Sequence, residues 1–176
     1  KASAYAVGGA RAVATYPCRY NLPLQVGAYM ADFPQTSPNT LVAIEIGGND
    51  VRDAIVVAAT GGQPEPVLDA ALTSLAGNVQ ALYAHGARRF LVMNVPDVGK
   101  TPAIRQLAGG LPPPYDLMLL GAATQLSHGY NQGLQGLIAF LGSALPGVDI
   151  RKLDAYAKLN AIVDNPAAYG LANVTD

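Results

Sequence analysis

The stretch "LVAIEIGGND", Leu41 to Asp50, decides the fold. Its first six residues form a nearly continuous apolar run, as expected for a strand covered on both faces in a parallel sheet. The run stops at two glycines and then presents an asparagine and an aspartate. A turn capping a helix explains that ending. So does a strand end that delivers a hydrogen-bond donor to a reaction site. Asp50 fits the first explanation as an N-cap. Asn49 fits the second, because a cap needs only one such residue and the amide of Asn49 can donate.

Three further runs read as strands: Ala4–Val7, Arg89–Val95 ("RFLVMNV") and Val148–Leu153 ("VDIRKL"). Between them, apolar residues recur at helical spacing from Val67 to Tyr83, with Gly86 as the expected C-cap, and from Leu117 to Leu141. Gly129, Gly133 and Gly136 lower the helix propensity of the second pattern, which predicts close packing on the sheet. Shorter helices are predicted over Asp50–Ala59 and over Asn21–Phe33, the latter opened near Pro23. "GGLPPPYD" (Gly109 to Asp116) reads as a surface loop.

Strands alternating with helices predict a three-layer α/β/α domain with a doubly wound parallel sheet. Ligands in such sheets sit beyond the carboxyl ends of the strands. Three polar turns leave those ends: "VGGARA" (Val7 to Ala12), "GGND" (Gly47 to Asp50) and "NVPDVGKTP" (Asn94 to Pro102). They are expected to share one edge.

Bulk composition narrows the function. The chain has 176 residues, 51% hydrophobic and 13% charged, enough for one domain with a sizeable core and unlike a disordered chain. A formal net charge of -1 with scattered Lys and Arg offers no basic footprint for nucleic acid. The single cysteine, Cys18, cannot form an intrachain disulfide. With only two histidines it also argues against a structural zinc site. No apolar run reaches membrane-spanning length.

The usual catalytic candidates do not assemble. None of Ser3, Ser37, Ser74, Ser127 and Ser143 sits in G-x-S-x-G. Ser127 and His128 are neighbours on a predicted helix, so their side chains diverge. His85 lies at a helix end, where the dipole explains it. Cys18 has no apparent base. In "VGGARA", Gly8 and Gly9 could form a plain turn at positive φ, or aim a backbone N–H at a developing oxyanion. A dinucleotide fold would need G-x-G-x-x-G and an acidic residue some twenty positions on, where Tyr29 and Met30 stand.

"YAVGGARA", "LVAIEIGGNDVRDA", "FLVMNVPDVGKTPA", "YNQGLQGLIAFL" and "NPAAYGLANVTD" follow one another in an order that resembles the GDSL-type lipases and esterases of the SGNH hydrolase superfamily. The likeness is greatest to the bacterial secreted and autotransporter-like branch, and it covers nearly the whole chain. It implies an oxyanion hole made by Gly9, with Gly8 as a shift of one, and by the side chain of Asn49. It places the nucleophilic serine of the G-D-S-L block before residue 1 and the D-x-x-H pair after Asp176. The resemblance also implies a missing strand between those starting at Ala4 and Leu41, hence one domain, 1–176, truncated at both ends with an incomplete sheet.

The implied function is a serine ester hydrolase of carboxylic esters or lipids, secreted or in the cell envelope, with no cofactor and no metal. A second chain or homodimer could complete the sheet. The alternative is an SGNH-like binding or assembly module without hydrolase activity.

Overall fold

The computed structural model describes residues 2–14 and 20–174. Pro17 and Cys18 lie outside the described residues. Leu41–Glu45 forms β1, Arg89–Met93 β2 and Asp149–Leu153 β3. The three strands pair in parallel in the order β1-β2-β3, with Leu41, Arg89 and Asp149 in register at one end and Glu45, Met93 and Leu153 at the other. Helices α1 (Leu22–Asp32), α2 (Gly48–Ala59), α3 (Glu65–Ala84), α4 (Pro102–Gly109), α5 (Tyr115–Ala144) and α6 (Ala155–Asp164) connect and flank them. The result is a mixed α/β fold around a parallel sheet that is incomplete.

Alternation along the strands decides which face is covered. Ile44, Phe90 and Val92 are buried against a core that includes Leu75, Val79 and Leu82 of α3 and Tyr130, Leu134 and Leu141 of α5. The residues between them tell a different story. Leu41 is 56% exposed, Ala43, Glu45, Arg151 and Leu153 are exposed, and Leu91 and Met93 are half-buried. Only one face of the sheet is well covered, where the near-continuous apolar runs predicted two. Helix α6, which follows β3, contains no buried residue.

The predicted strand at Ala4–Val7 is absent, and those residues have no regular structure. A short apolar run becomes a strand only where a neighbouring strand takes its N–H and C=O groups. Here Tyr5 instead meets the ring of Tyr29 edge-on, and its hydroxyl donates to Asp32 at 2.7 Å. The outer edge of β1 carries no strand among the described residues.

The helices keep closer to expectation. Pro23 lies in the first turn of α1, where its missing N–H costs nothing. Helix α3 closes with two reversed hydrogen bonds, Gly86 N–H to Tyr83 and Ala87 N–H to Leu82, both 3.0 Å. Gly86 takes φ +114°, and a Cβ there would lie 2.3 Å from the carbonyl oxygen of Thr36. In α5 the expected packing of glycines on the sheet does not occur. Gly133 lets α5 approach Leu72 of α3, while Gly129 and Gly136 face open space. Helix α4, which the sequence reading left unassigned, begins with Pro102 at its first position.

Candidate active site

The site begins where β1 ends. Gly47 adopts φ +108° as the N-cap of α2, and a Cβ on it would lie 2.4 Å from Cζ and the hydroxyl oxygen of Tyr130. Tyr130 is fully buried, and its hydroxyl points at the Ile46 carbonyl at 3.5 Å. Only glycine satisfies both the backbone and the space at position 47. The turn thus tightens immediately, and α2 starts with Gly48, Asn49 and Asp50 in its first turn.

Those residues capture the other glycine turn. The Asn49 amide donates through Nδ2 to the carbonyl oxygen of Ala10 at 2.8 Å. Both carboxylate oxygens of Asp50 accept the N–H of Ala12, at 3.1 and 3.0 Å. One turn further along α2, Asp53 holds Arg11 through a bidentate ion pair, with Nη2 to Oδ1 at 2.8 Å and Nε to Oδ2. From behind, Asn21 Oδ1 accepts the Arg11 N–H at 3.0 Å, and the Arg11 carbonyl accepts from Leu22 N–H at 3.0 Å. Four successive residues, Ala10 to Ala12 and the preceding Gly9 at φ +78°, are therefore held against the start of α2.

Asp50 is not the N-cap the sequence predicted. It is the third residue of α2 and almost wholly buried. Its carboxylate is drawn to an N–H of a distant loop, leaving the cap position to Gly47. Burial pushes its pKa up, opposed by the N–H groups of Ala12 and of its own backbone. Asp53 nearby adds to the rise and Arg11 works against it.

The turns "VGGARA" and "GGND" thus meet. The third turn, "NVPDVGKTP", leaves the same edge of the sheet, where Met93 pairs with Glu45, but its polar side chains fold inward. Asn94 is buried, donating to Asp154 Oδ1 at 2.9 Å and accepting from Tyr156 N–H at 3.0 Å. Asp97 is buried too, and its Oδ1 accepts from Gly99 N–H at 3.1 Å and Thr124 Oγ1 at 2.8 Å. The Asp97 carboxylate closes a short helical turn over Val98–Lys100. Two accepted hydrogen bonds hold Asp154 below the ordinary carboxylate pKa, the N–H of Ala157 foremost and the amide of Asn94 next.

The remaining candidates are accounted for locally. Ser127 is fully buried, donating to Ala123 O at 2.8 Å and accepting from Val98 N–H at 3.1 Å. Ser74 donates to Ala12 O and Ser143 to Phe140 O, while Ser37 accepts from Asn39 N–H. His85 meets Thr36 Oγ1 at 3.0 Å through Nδ1, a partner beyond the helix dipole invoked from sequence. His128 is exposed, its ring 6.3 Å from that of Tyr156. Among the described residues no group of three His, Cys, Asp or Glu could hold a metal ion, and no helix is long and apolar enough to cross a membrane.

Arg11 and Asp53 join the candidate site without a signal in the sequence, and Asp50 joins it in a role other than the expected cap. The three-residue spacing of the two aspartates marks one side of a helix. Nothing in the sequence ties that side to an arginine 42 positions earlier.

A family model described as GDSL-like Lipase/Acylhydrolase matches residues 1–173. Lipase 1 of Photorhabdus luminescens is 30% identical over 165 residues, covering 88% of this chain and 25% of that protein. Acetylesterase of Thermothelomyces thermophilus is 27% identical over 142 residues, covering 81% of this chain and 43% of that protein. GDSL esterase/lipase At1g23500 of Arabidopsis thaliana is 27% identical over 138 residues, covering 78% and 39%. The chain spans between a quarter and somewhat over two fifths of the length of these relatives. With the family pattern running almost end to end, the chain belongs to the GDSL-like lipase/acylhydrolase family.

Proposed function

We propose that this chain is the core of a serine ester hydrolase, in which the Gly9 N–H and the Asn49 side-chain amide form the oxyanion hole. The observation that carries the reading is the 2.8 Å hydrogen bond from Asn49 to Ala10, which holds the amide against the glycine turn. An asparagine amide has two N–H groups, so the bond to Ala10 leaves one for a substrate oxygen. The Gly9 N–H has no protein acceptor among the described residues, and the start of α2 adds partial positive charge beside it.

In this reading a serine hydroxyl attacks the ester carbonyl and gives its proton to a base. The carbonyl oxygen becomes an oxyanion, and the two donors stabilise it more than they stabilise the neutral ester. Collapse expels the alcohol and leaves an acyl-enzyme, which water then hydrolyses. Nucleophile, base and orienting acid come from residues outside these 176, in keeping with Ser74, Ser127 and Ser143 donating to backbone carbonyls and none of the described serines hydrogen-bonding a histidine. Carboxylic esters or lipids are the substrates, and the protein is secreted or in the cell envelope. A strand from another segment or another chain pairs with the free edge of β1.

The competing reading, an acyl-ligand or assembly module without turnover, draws on the same engaged serines. One substitution separates them. In the full-length enzyme, Asn49→Ala is expected to reduce ester turnover by about two to three orders of magnitude while costing stability only about 1 kcal/mol. Unchanged turnover removes Asn49 from the site. No turnover in the parent enzyme favours the binding module.

A further inference from the structure

Five large apolar side chains exposed to solvent fall within twelve residues, at the hairpin joining α4 to α5: Leu107, Leu111, Tyr115, Leu117 and Met118. Tyr115 is 59% exposed, Leu117 69% and Met118 61%. Residues 117 and 118 point about 100° apart around a helix, so packing on one side of α5 cannot cover both. The first buried residue of α5 is Ala123, two turns in. Leu119 and Leu120 already pack against the core, so the exposed leucine and methionine are confined to the first turn of the helix, on different sides of it.

Charge sharpens the picture. From Gln106 to Val148 the only ionised side chain is Asp116, and one of its carboxylate oxygens is buried. Cations sit at the base instead. Arg52 of α2 lines an open groove with Ala103, Ile104, Gln106, Leu107 and Gly110, and Arg105 lies on α4. Neither arginine takes part in a salt bridge among the described residues. An apolar, nearly uncharged tip above unpaired guanidinium groups matches a lipid surface, where acyl chains lie beneath phosphates. A protein partner would be expected to meet polar rim residues around such a patch, and the hairpin has almost none.

Arg52 lies three residues after Asn49 on α2, and so on neighbouring positions of one helix surface. We propose that the α4–α5 hairpin inserts its tip into a lipid surface, with Arg52 and Arg105 at the phosphate level, and thereby turns the candidate oxyanion hole toward esters held in that surface. The orienting role rests on the hydrolase reading above; membrane binding itself does not.

The test is flotation of the full-length protein with phosphatidylcholine vesicles, with and without phosphatidylglycerol. The triple variant Leu111→Ser, Leu117→Ser, Met118→Ser changes exposed residues only, and Phe140→Ser serves as an exposed apolar control on the far part of α5. Thermal denaturation verifies that each variant is folded. The parent is expected to float, the triple variant to partition at least about tenfold more weakly, and Phe140→Ser to stay near the parent. Arg52→Gln with Arg105→Gln should weaken binding most on the anionic vesicles.

Equal partitioning of parent and triple variant overturns the proposal. So does a tip-dependent dimer, seen by light scattering without lipid, that accounts for the exposed side chains. Asn49→Ala should float like the parent whatever it does to turnover, so failure of the hydrolase reading and failure of lipid docking give different results.

Discussion

At the scale of single residues, the two ends of "GGND" are governed by different constraints. Gly47 is fixed by a left-handed backbone and by the Tyr130 ring 2.4 Å from where a Cβ would be. Gly47→Ala is expected to cost about 2 kcal/mol or more, lowering the melting temperature by several degrees. Asp50 carries a pH dependence. Its pKa in the fold is raised above the ordinary 3.8 by burial, so the folded state holds that proton more tightly than the unfolded chain. The stability Asp50 contributes is full below that value and declines as pH rises toward its folded pKa. Asp154, lowered in the fold, has the opposite sign, its contribution being lost as pH falls. The difference between parent and Asp50→Asn isolates the first effect. Denaturant melts from about pH 3 to about pH 8 should show the variant gaining on the parent as pH rises, and a flat difference would sink the assignment.

At the scale of elements, helix α5 offers an internal control. Gly136 faces open space, so Gly136→Ala should stabilise the protein by roughly 0.5–1 kcal/mol through helix propensity alone. Gly133→Ala gains the same propensity but places its Cβ 2.4 Å from Cδ1 of Leu72 on α3. It is expected to gain less than Gly136→Ala or to lose stability, depending on how far Leu72 can turn. Urea midpoints for the two variants compare them directly. If both gain equally, the close approach of α5 to α3 is not tight. The helices were legible because amphipathic spacing, Pro23 in a first turn and Gly86 past an end are local signals. The packing partner of Gly133 was not, because a glycine shows only that something comes near.

At the scale of the whole molecule, the sheet has a paired interior strand and two edges. β2 hydrogen-bonds to β1 and β3, while β1 and β3 each pair on one side among the described residues. Amide exchange should accordingly be slowest in Phe90–Val92 and faster in both β1 and β3. Equal protection across the three strands would indicate that the edges are covered in solution. The exposed face at Leu41, Ala43 and Leu153 belongs to the same scale. Near-continuous hydrophobicity in the strands pointed to burial on both sides, yet composition cannot say whether the covering layer is within reach.

The sequence by itself determined that strands and helices alternate, that the sheet is parallel, and that the "GGND" turn with Asn49 lies beyond a strand end. Those features follow from periodicity, turn chemistry and the short reach of capping groups. Only the tertiary structure decided that Asn49 turns back to Ala10, that Asp50 leaves the cap to hold Ala12, and that Arg11 finds Asp53. It alone showed Ala4–Val7 failing as a strand and the α4–α5 hairpin exposing Leu111, Tyr115, Leu117 and Met118. The physical reason is common to all of them. A side chain's nature states which partner it needs, but only the path of the chain determines which partner comes within about 3 Å.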